Sequence, residues 1–333
     1  MNKKFFEASE QTWLDTLEAA QEILGIDRIN IEKDFWMCFA LEKLFQMPDH
    51  QFVFKGGTTL SKVYEIIERY SEDIDITVNY GKFIPQIDFT KISNSQLSKL
   101  SDTLKANLEK YLQDIVMPYL NAQYLKEFNN YSGGFTLHDR ENIYFNYPSF
   151  LDKTDYKRGF IKIEFGARNT IEPNQIYNID TYIDKINQTK SNIKVNVLSA
   201  ERTFWEKATL IHVECHRGRL ANTPDRLSRH WYDLYKLVNT DFISAIHSKE
   251  ILNEVLTIKK AFYKNSSSNY DKCNTGELRL IPDNADISGL KKDYQKMIDE
   301  DYFFRDPPSF DEIISSLKII EEKINVQYRN NLF

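Results

Sequence analysis

Along the first third of the chain the apolar positions keep a helical period and then change abruptly to a period of two. Trp13, Leu17, Ala20 and Leu24, followed by Phe35, Phe39 and Leu44, recur on helical faces and predict a helical lead-in to about Gln46. Residues 51–54 form a short apolar run, read as a strand, that ends on Lys55-Gly56-Gly57-Thr58. From Thr58 the residues Leu60, Val63, Ile66, Ile67 and Tyr70 return to helical spacing and predict one helix with a buried face. Ile74 and Ile76 then alternate with Asp73 and Asp75. This predicts a strand over 74–78 whose two carboxylates leave on the same face.

Further on, repeated leucines between Ser93 and about Phe128 predict an amphipathic helical insertion closed by Gly133-Gly134. Three aromatic-rich runs, 135–137, 143–147 and 160–165, favour strands. In the last of these, Lys162, Glu164 and Gly166 lie opposite Ile161, Ile163 and Phe165. Glu164 is therefore a candidate third carboxylate beside Asp73 and Asp75, the alternative being a surface glutamate paired with Lys162 or Arg168. A strand over 193–197 precedes Ser199, the expected N-cap of a helix starting near Glu201. Beyond it the pattern is mostly helical, broken by Gly218, Pro224, Ser266-Ser267-Ser268 and Pro307-Pro308. The expected division is a helical lead-in over 1–50, a core over 51–198 with its insertion near 93–128, and a helical domain over 199–333. The expected fold class is α+β.

With 333 residues, 41% hydrophobic and 14% aromatic, the chain can bury a sizeable core in one large domain or two. No apolar run is long enough to span a membrane, and Glu and Gln stand near the N-terminus where a signal peptide has an apolar core, so a cytoplasmic protein is expected. Cys38, Cys215 and Cys273 show no CxxC pairing, which fits a reducing compartment. A net charge of −6 gives no global attraction for nucleic acid, so such contact needs a local patch. Arg217, Arg219, Arg226 and Arg229 crowd one loop and helix start with few acids nearby, and are candidates to grip a nucleotide or an RNA backbone. The alternative for them is a solvated, salt-bridged loop. His212, Cys215 and His216 share a helix face but lack a fourth ligand and the glutamate of an HExxH helix, so they are read as hydrogen-bonded packing residues.

Gly56 and Gly57 lack the Cβ that blocks backbone N–H groups from a phosphate, and can sit at a helix start that favours anions. Asp73 and Asp75 repel one another unless positive charge lies between them, a role suited to Mg²⁺. Alone each signal is weak, since a glycine pair is usually a turn and Asp-x-Asp usually a solvated edge. Lys207 shares its helix with a core face of Phe204, Ala208 and Ile211. Asp233 lies among aromatics, with Arg229 four residues before it as a possible ion-pair partner.

Taken in order, the motifs resemble a known family. Glu32-Lys33-Asp34-Phe35-Trp36, Lys55-Gly56-Gly57-Thr58, Ser71 to Asp75, Ile163-Glu164-Phe165-Gly166-Ala167-Arg168, Glu201 to Lys207 and Arg229-His230-Trp231-Tyr232-Asp233 are similar to the AbiEii/AbiGii toxins, which include the MenT toxins. These belong to the polymerase β-type nucleotidyltransferase superfamily. Leu280-Ile281-Pro282 and Pro308-Ser309-Phe310 extend the resemblance into the tail. The resemblance implies a nucleotidyltransferase core with a mixed sheet, followed by a mainly helical C-terminal domain. It implies Asp73, Asp75, Glu164, Lys207 and Asp233 as catalytic residues, with Asp73, Asp75 and Glu164 holding Mg²⁺ or Mn²⁺. Lys55, Gly56, Gly57, Thr58, Ser71 and Arg229 are the expected nucleotide-binding residues, and Arg217, Arg219 and Arg226 the expected RNA-binding ones. The implied reaction moves NMP from an NTP to an RNA acceptor, expected to be a tRNA 3′ end, in a toxin–antitoxin or abortive-infection system with a separately encoded antitoxin. The rival expectations are a small-molecule nucleotidyltransferase and a non-catalytic nucleotide-binding protein.

Overall fold

The computed structural model describes Lys4, Glu7 and residues 9–85, 87–151, 159–222 and 224–330. It divides into two compact units, the first of residues 1–63, 71–86 and 100–198, the second of 64–70, 87–99 and 199–333.

In the first unit two helices lead in. α1 (Glu10–Leu24) is capped by the Ser9 hydroxyl, which accepts from Thr12 N, and ends on left-handed Gly25. α2 (Arg28–Gln46) starts at the Asp27 cap and is buried on every side from Asn30 to Leu44. β1 (Phe52–Lys55), the short α3 (Gly57–Lys62) and β2 (Ile74–Val78) follow. α4 (Asn94–Tyr111), which enters this unit at residue 100, a π-helical turn at Leu112–Val116 and α5 (Met117–Phe128) occupy the predicted insertion. β3 (Gly134–Leu137), β4 (Asn142–Asn146), β5 (Ile161–Gly166), β6 (Asn174–Ile179), α6 (Tyr182–Ile186) and β7 (Ile193–Leu198) complete it.

The seven strands form one mixed sheet in the order β3-β4-β5-β2-β1-β7-β6. β2 runs parallel to β5 and β1 to β7, while the other neighbours are antiparallel. Trp36 of α2 packs edge-on against Phe128 of α5 and Phe145 of β4 and stacks on Tyr147, which fixes helices to sheet. The mixed sheet with its helical layers is the α+β architecture expected.

The helix predicted from Thr58 to Tyr70 stops at Lys62. Glu65 has φ +52°, and within the second unit Arg69 pairs with Phe303 as an antiparallel bridge while Tyr70 N donates to Tyr302 O. Tertiary pairing overrides the helical period there. β6 was not predicted. It lies at the sheet edge, pairs only with β7, and carries Asn174, Asn178 and the exposed Ile176 in place of an alternating apolar pattern.

In the second unit Ser199 caps α7 (Ala200–Arg217), which ends on left-handed Gly218. α8 (Arg229–Val238), α9 (Lys249–Phe262), α10 (Asn284–Asp299) and α11 (Phe310–Arg329) follow. Two buried tryptophans anchor it, Trp205 donating to Ala245 O at 3.0 Å and Trp231 to Leu280 O at 2.8 Å.

Candidate active site

In the first unit, strand register assembles an acidic face. Ile74 of β2 lies beside Ile163 of β5 and Asp75 beside Glu164, so the same parallel register carried back one residue sets Asp73 beside Lys162. Ile74, Ile76, Ile161 and Ile163 are fully buried, which turns Asp73, Asp75, Lys162 and Glu164 to the opposite face. Lys162 Nζ donates to Glu164 Oε2 at 2.6 Å. Burial opposes the Lys162 charge, but the Glu164 hydrogen bond and the charges of Glu164, Asp73 and Asp75 outweigh it and hold the ammonium above the ordinary lysine range.

Gly56 takes its place in this site for a reason the sequence did not show. Its φ is +83°, and a Cβ there would lie 2.1 Å from Asp75 Oδ2. The missing side chain is what leaves room for the carboxylate. Thr58 is buried, and its hydroxyl donates to Asp73 O at 2.6 Å and pairs with Ser71 Oγ at 2.8 Å, so it braces the turn that delivers the acids. Lys55 stands opposite Asp75 across the β1–β2 pair, and Gly57 opens α3.

The Glu32-Lys33-Asp34 run of α2 supports the same turn. Lys33 Nζ meets Glu72 at 2.8 Å, next in sequence to Asp73. Glu32 accepts from Trp13 Nε1 at 3.0 Å and Ser149 Oγ at 2.5 Å, and Asp34 from Lys62 Nζ at 2.5 Å and Tyr182 N at 2.8 Å. Three adjacent buried charges thus each tie α2 to a different segment.

In the second unit Asp233 is fully buried and takes a bidentate grip from Arg69, Nε to Oδ1 and Nη2 to Oδ2, both at 2.7 Å. Lys207 Nζ also donates to Oδ2 at 2.7 Å. Burial raises the Asp233 pKa, but Arg69 and Lys207 overcome it and hold the carboxylate well below its usual range. The Lys207 pKa is lowered as well, which in a lysine disfavours the charged form. Burial lowers its pKa, the attraction of Asp233 does not restore it, and Arg69 and Arg229 add repulsion. Arg229 is not the partner of Asp233 that an i, i+4 spacing suggested. Arg69 is, and the sequence marks it only as one of two charges, with Glu68, between Ile67 and Tyr70.

The arginine loop has an acid that sequence reading overlooked. Glu214 pairs with Arg217 at 2.5 Å and with Arg219 at 3.1 Å, while Arg226 lies over the Tyr302 ring at 5.2 Å. His212 uses both ring nitrogens, Nε2 toward Asn269 O and Nδ1 accepting from Arg279 N, and burial pushes its pKa down to about 4. It is a neutral packing residue. Among the described residues no three His, Cys, Asp or Glu side chains form a ready-made cation cage, and no helix is long and apolar enough to cross a membrane.

The mixed α+β sheet thus carries Asp75 on β2, with Asp73 just ahead of it, and Glu164 in register on the parallel neighbour. The sequence model of the family described as "Nucleotidyl transferase AbiEii toxin, Type IV TA system" matches residues 42–316, and the chain belongs to this family. It is thus a nucleotidyltransferase toxin of the type IV toxin–antitoxin class, with an NTP as substrate and an antitoxin as counterpart. None of the curated proteins matches the sequence. Among solved structures, the nucleotidyltransferase toxin MenT4 from Mycobacterium tuberculosis is similar, with a TM-score of 0.36 and 13% identity over 94% of this chain and 99% of that one.

Proposed function

We propose that this toxin transfers NMP from an NTP to an RNA hydroxyl, with a tRNA 3′ end as the favoured acceptor, in a cytoplasmic abortive-infection or phage-defence role. The observation that carries the chemistry is the acidic face built by Asp73, Asp75 and Glu164 in strand register. Its donors are hard carboxylate oxygens, and Mg²⁺ needs only one or two carboxylates when triphosphate oxygens complete its shell. Asp73 and Asp75 would hold Mg²⁺ or Mn²⁺, and Glu164 is the proposed third acid. Bound there, the cation supplies Lewis-acid charge at the phosphoryl group and lowers the pKa of the acceptor hydroxyl. The acceptor hydroxyl gives up its proton, to Glu164 or to solvent, and its oxygen bonds to the α-phosphorus as the bond to the α–β bridging oxygen breaks and that oxygen leaves with pyrophosphate. Lys55, Gly56, Gly57, Thr58, Ser71 and Arg229 are assigned to the nucleotide. Lys207, oriented by Asp233, is assigned to the negative charge gathering on pyrophosphate.

The direct test supplies each α-labelled NTP with Mg²⁺ and total RNA. Label in a ribonuclease-sensitive product of tRNA size is expected, and label appearing only in small molecules would overturn the RNA reading. A small-molecule acceptor is the second reading, and the Glu214 grip on Arg217 and Arg219 favours it by reducing the positive charge left for RNA. If RNA is the acceptor, changing Arg217, Arg219 and Arg226 together to Ala weakens tRNA binding. It also flattens the salt dependence by about two contacts' worth of counterion release, with NTP binding largely kept. A parent protein that does not bind tRNA at low salt would leave the small-molecule reading in place.

A further inference from the structure

Three carboxylates on one face need compensating charge whenever no divalent cation is bound, and the chain places an ammonium among them. Lys162 is two residues before Glu164 on the same face of β5, and the β2–β5 register extended one residue back from Ile74–Ile163 sets it beside Asp73. Its Nζ is 2.6 Å from Glu164 Oε2, so the third acid is engaged by a cation the chain itself carries. An exposed lysine pairing with whichever acid is nearest would not need this position. Lys162 has 23% of its side chain exposed against 51% for Glu164, and its ammonium lies on the face that carries Asp75.

We propose that Lys162 is the resident counter-cation of the acidic face, holding Glu164 and screening Asp73 and Asp75 until a divalent cation replaces it and takes Glu164 as a ligand. The inference rests on the metal-site reading of Asp73 and Asp75. It makes loading an exchange of charge at Glu164: the ammonium leaves as the ion arrives.

The test measures Mn²⁺ binding to the whole protein, without nucleotide, by electron paramagnetic resonance of free Mn²⁺. Lys162→Met and Lys162→Gln are each expected to bind Mn²⁺ roughly tenfold more tightly than the parent, since a competing positive charge has gone. Gln keeps a donor for Glu164 without the charge, so it serves where Met perturbs folding. Lys162→Arg should stay near the parent. In the Lys162→Gln background, Glu164→Gln should lose the gain. The metal-free melting temperature of Lys162→Gln should fall and be recovered by Mn²⁺ more fully than any shift seen in the parent. Unchanged Mn²⁺ affinity in both Lys162 variants would overturn the proposal, whether the melting temperature falls, as for a purely structural pair, or NTP affinity in chelator falls, as for a phosphate ligand. The underlying metal reading fails separately: it is lost if Asp73→Asn leaves Mn²⁺ binding unaltered or if no form of the protein binds Mn²⁺.

Discussion

Asp73→Asn and Asp75→Asn should each reduce NMP transfer by on the order of 10²- to 10³-fold or more while leaving the melting temperature close to that of the parent. The size follows from the chemistry a bound cation supplies, several kcal/mol of charge stabilisation at about 1.4 kcal/mol per decade of rate. Fold retention follows from the geometry. Asp73, just ahead of β2, and Asp75, on it, are each partly exposed, and the strand is anchored from its other face by Ile74 and Ile76. An amide has the shape of the carboxylate and fits over Gly56 as well. Gly56→Ala is the complementary change: it keeps both charges but drives a Cβ against Asp75 Oδ2. Label transfer at saturating Mg²⁺ reads all three variants, and parent-like turnover in either aspartate variant would remove the metal assignment.

How far the sequence carried this site depends on the range of the interaction involved. The period-two alternation around Ile74 and Ile161 is local, and strands β2 and β5 were legible from it, as was the shared face of Asp73 and Asp75. Caps were legible for the same reason, Ser199 at the head of α7 and Gly218 at its end. The neighbour relation that sets Glu164 beside Asp75 was not, because nothing in either strand states that β2 and β5 pair in parallel with that register. Lys207 does reach Asp233, as a lysine-fixing aspartate would require, but the second partner, Arg69, was out of reach for a related reason. Arg229 is the only cation an i, i+4 argument can reach, whereas Arg69 lies 164 residues away. The overlong helix after Thr58 shows the opposite failure. A valid 3.6 period was present in the sequence, but the backbone of 69–70 found its partners at 302–303 instead. In the arginine loop, counting nearby acids missed Glu214 because it stands one helical turn back on α7.

Asp233→Asn should be the most damaging single change to stability, and Lys207→Met should separate stability from activity. The buried group contains two cations and one anion, so its charges do not cancel. Removing the Asp233 charge leaves Arg69 and Lys207 facing one another without a counterion, and breaking a buried pair in this way costs about 3–5 kcal/mol. Removing the Lys207 charge leaves the bidentate Arg69–Asp233 pair intact, and stability should stay within about 1 kcal/mol of the parent while transfer collapses. The pH dependence of stability has the same sign for the two groups, since both folded-state pKa values are lowered, but it falls in two separate pH windows. The folded-state pKa of Asp233 lies below its ordinary value, so its stabilisation is in place above the carboxylate range and is lost only as pH falls through that lowered value. That of Lys207 also lies below its ordinary value. As pH rises toward 10.5 the folded chain gives up this proton first, so stability rises while activity that needs the ammonium falls. Urea denaturation and label transfer across the alkaline range test this directly. In the parent the two curves should diverge, and in Lys207→Met the stability rise attributable to this proton should be gone. A Lys207→Met variant that keeps full transfer would return Lys207 to a purely structural role.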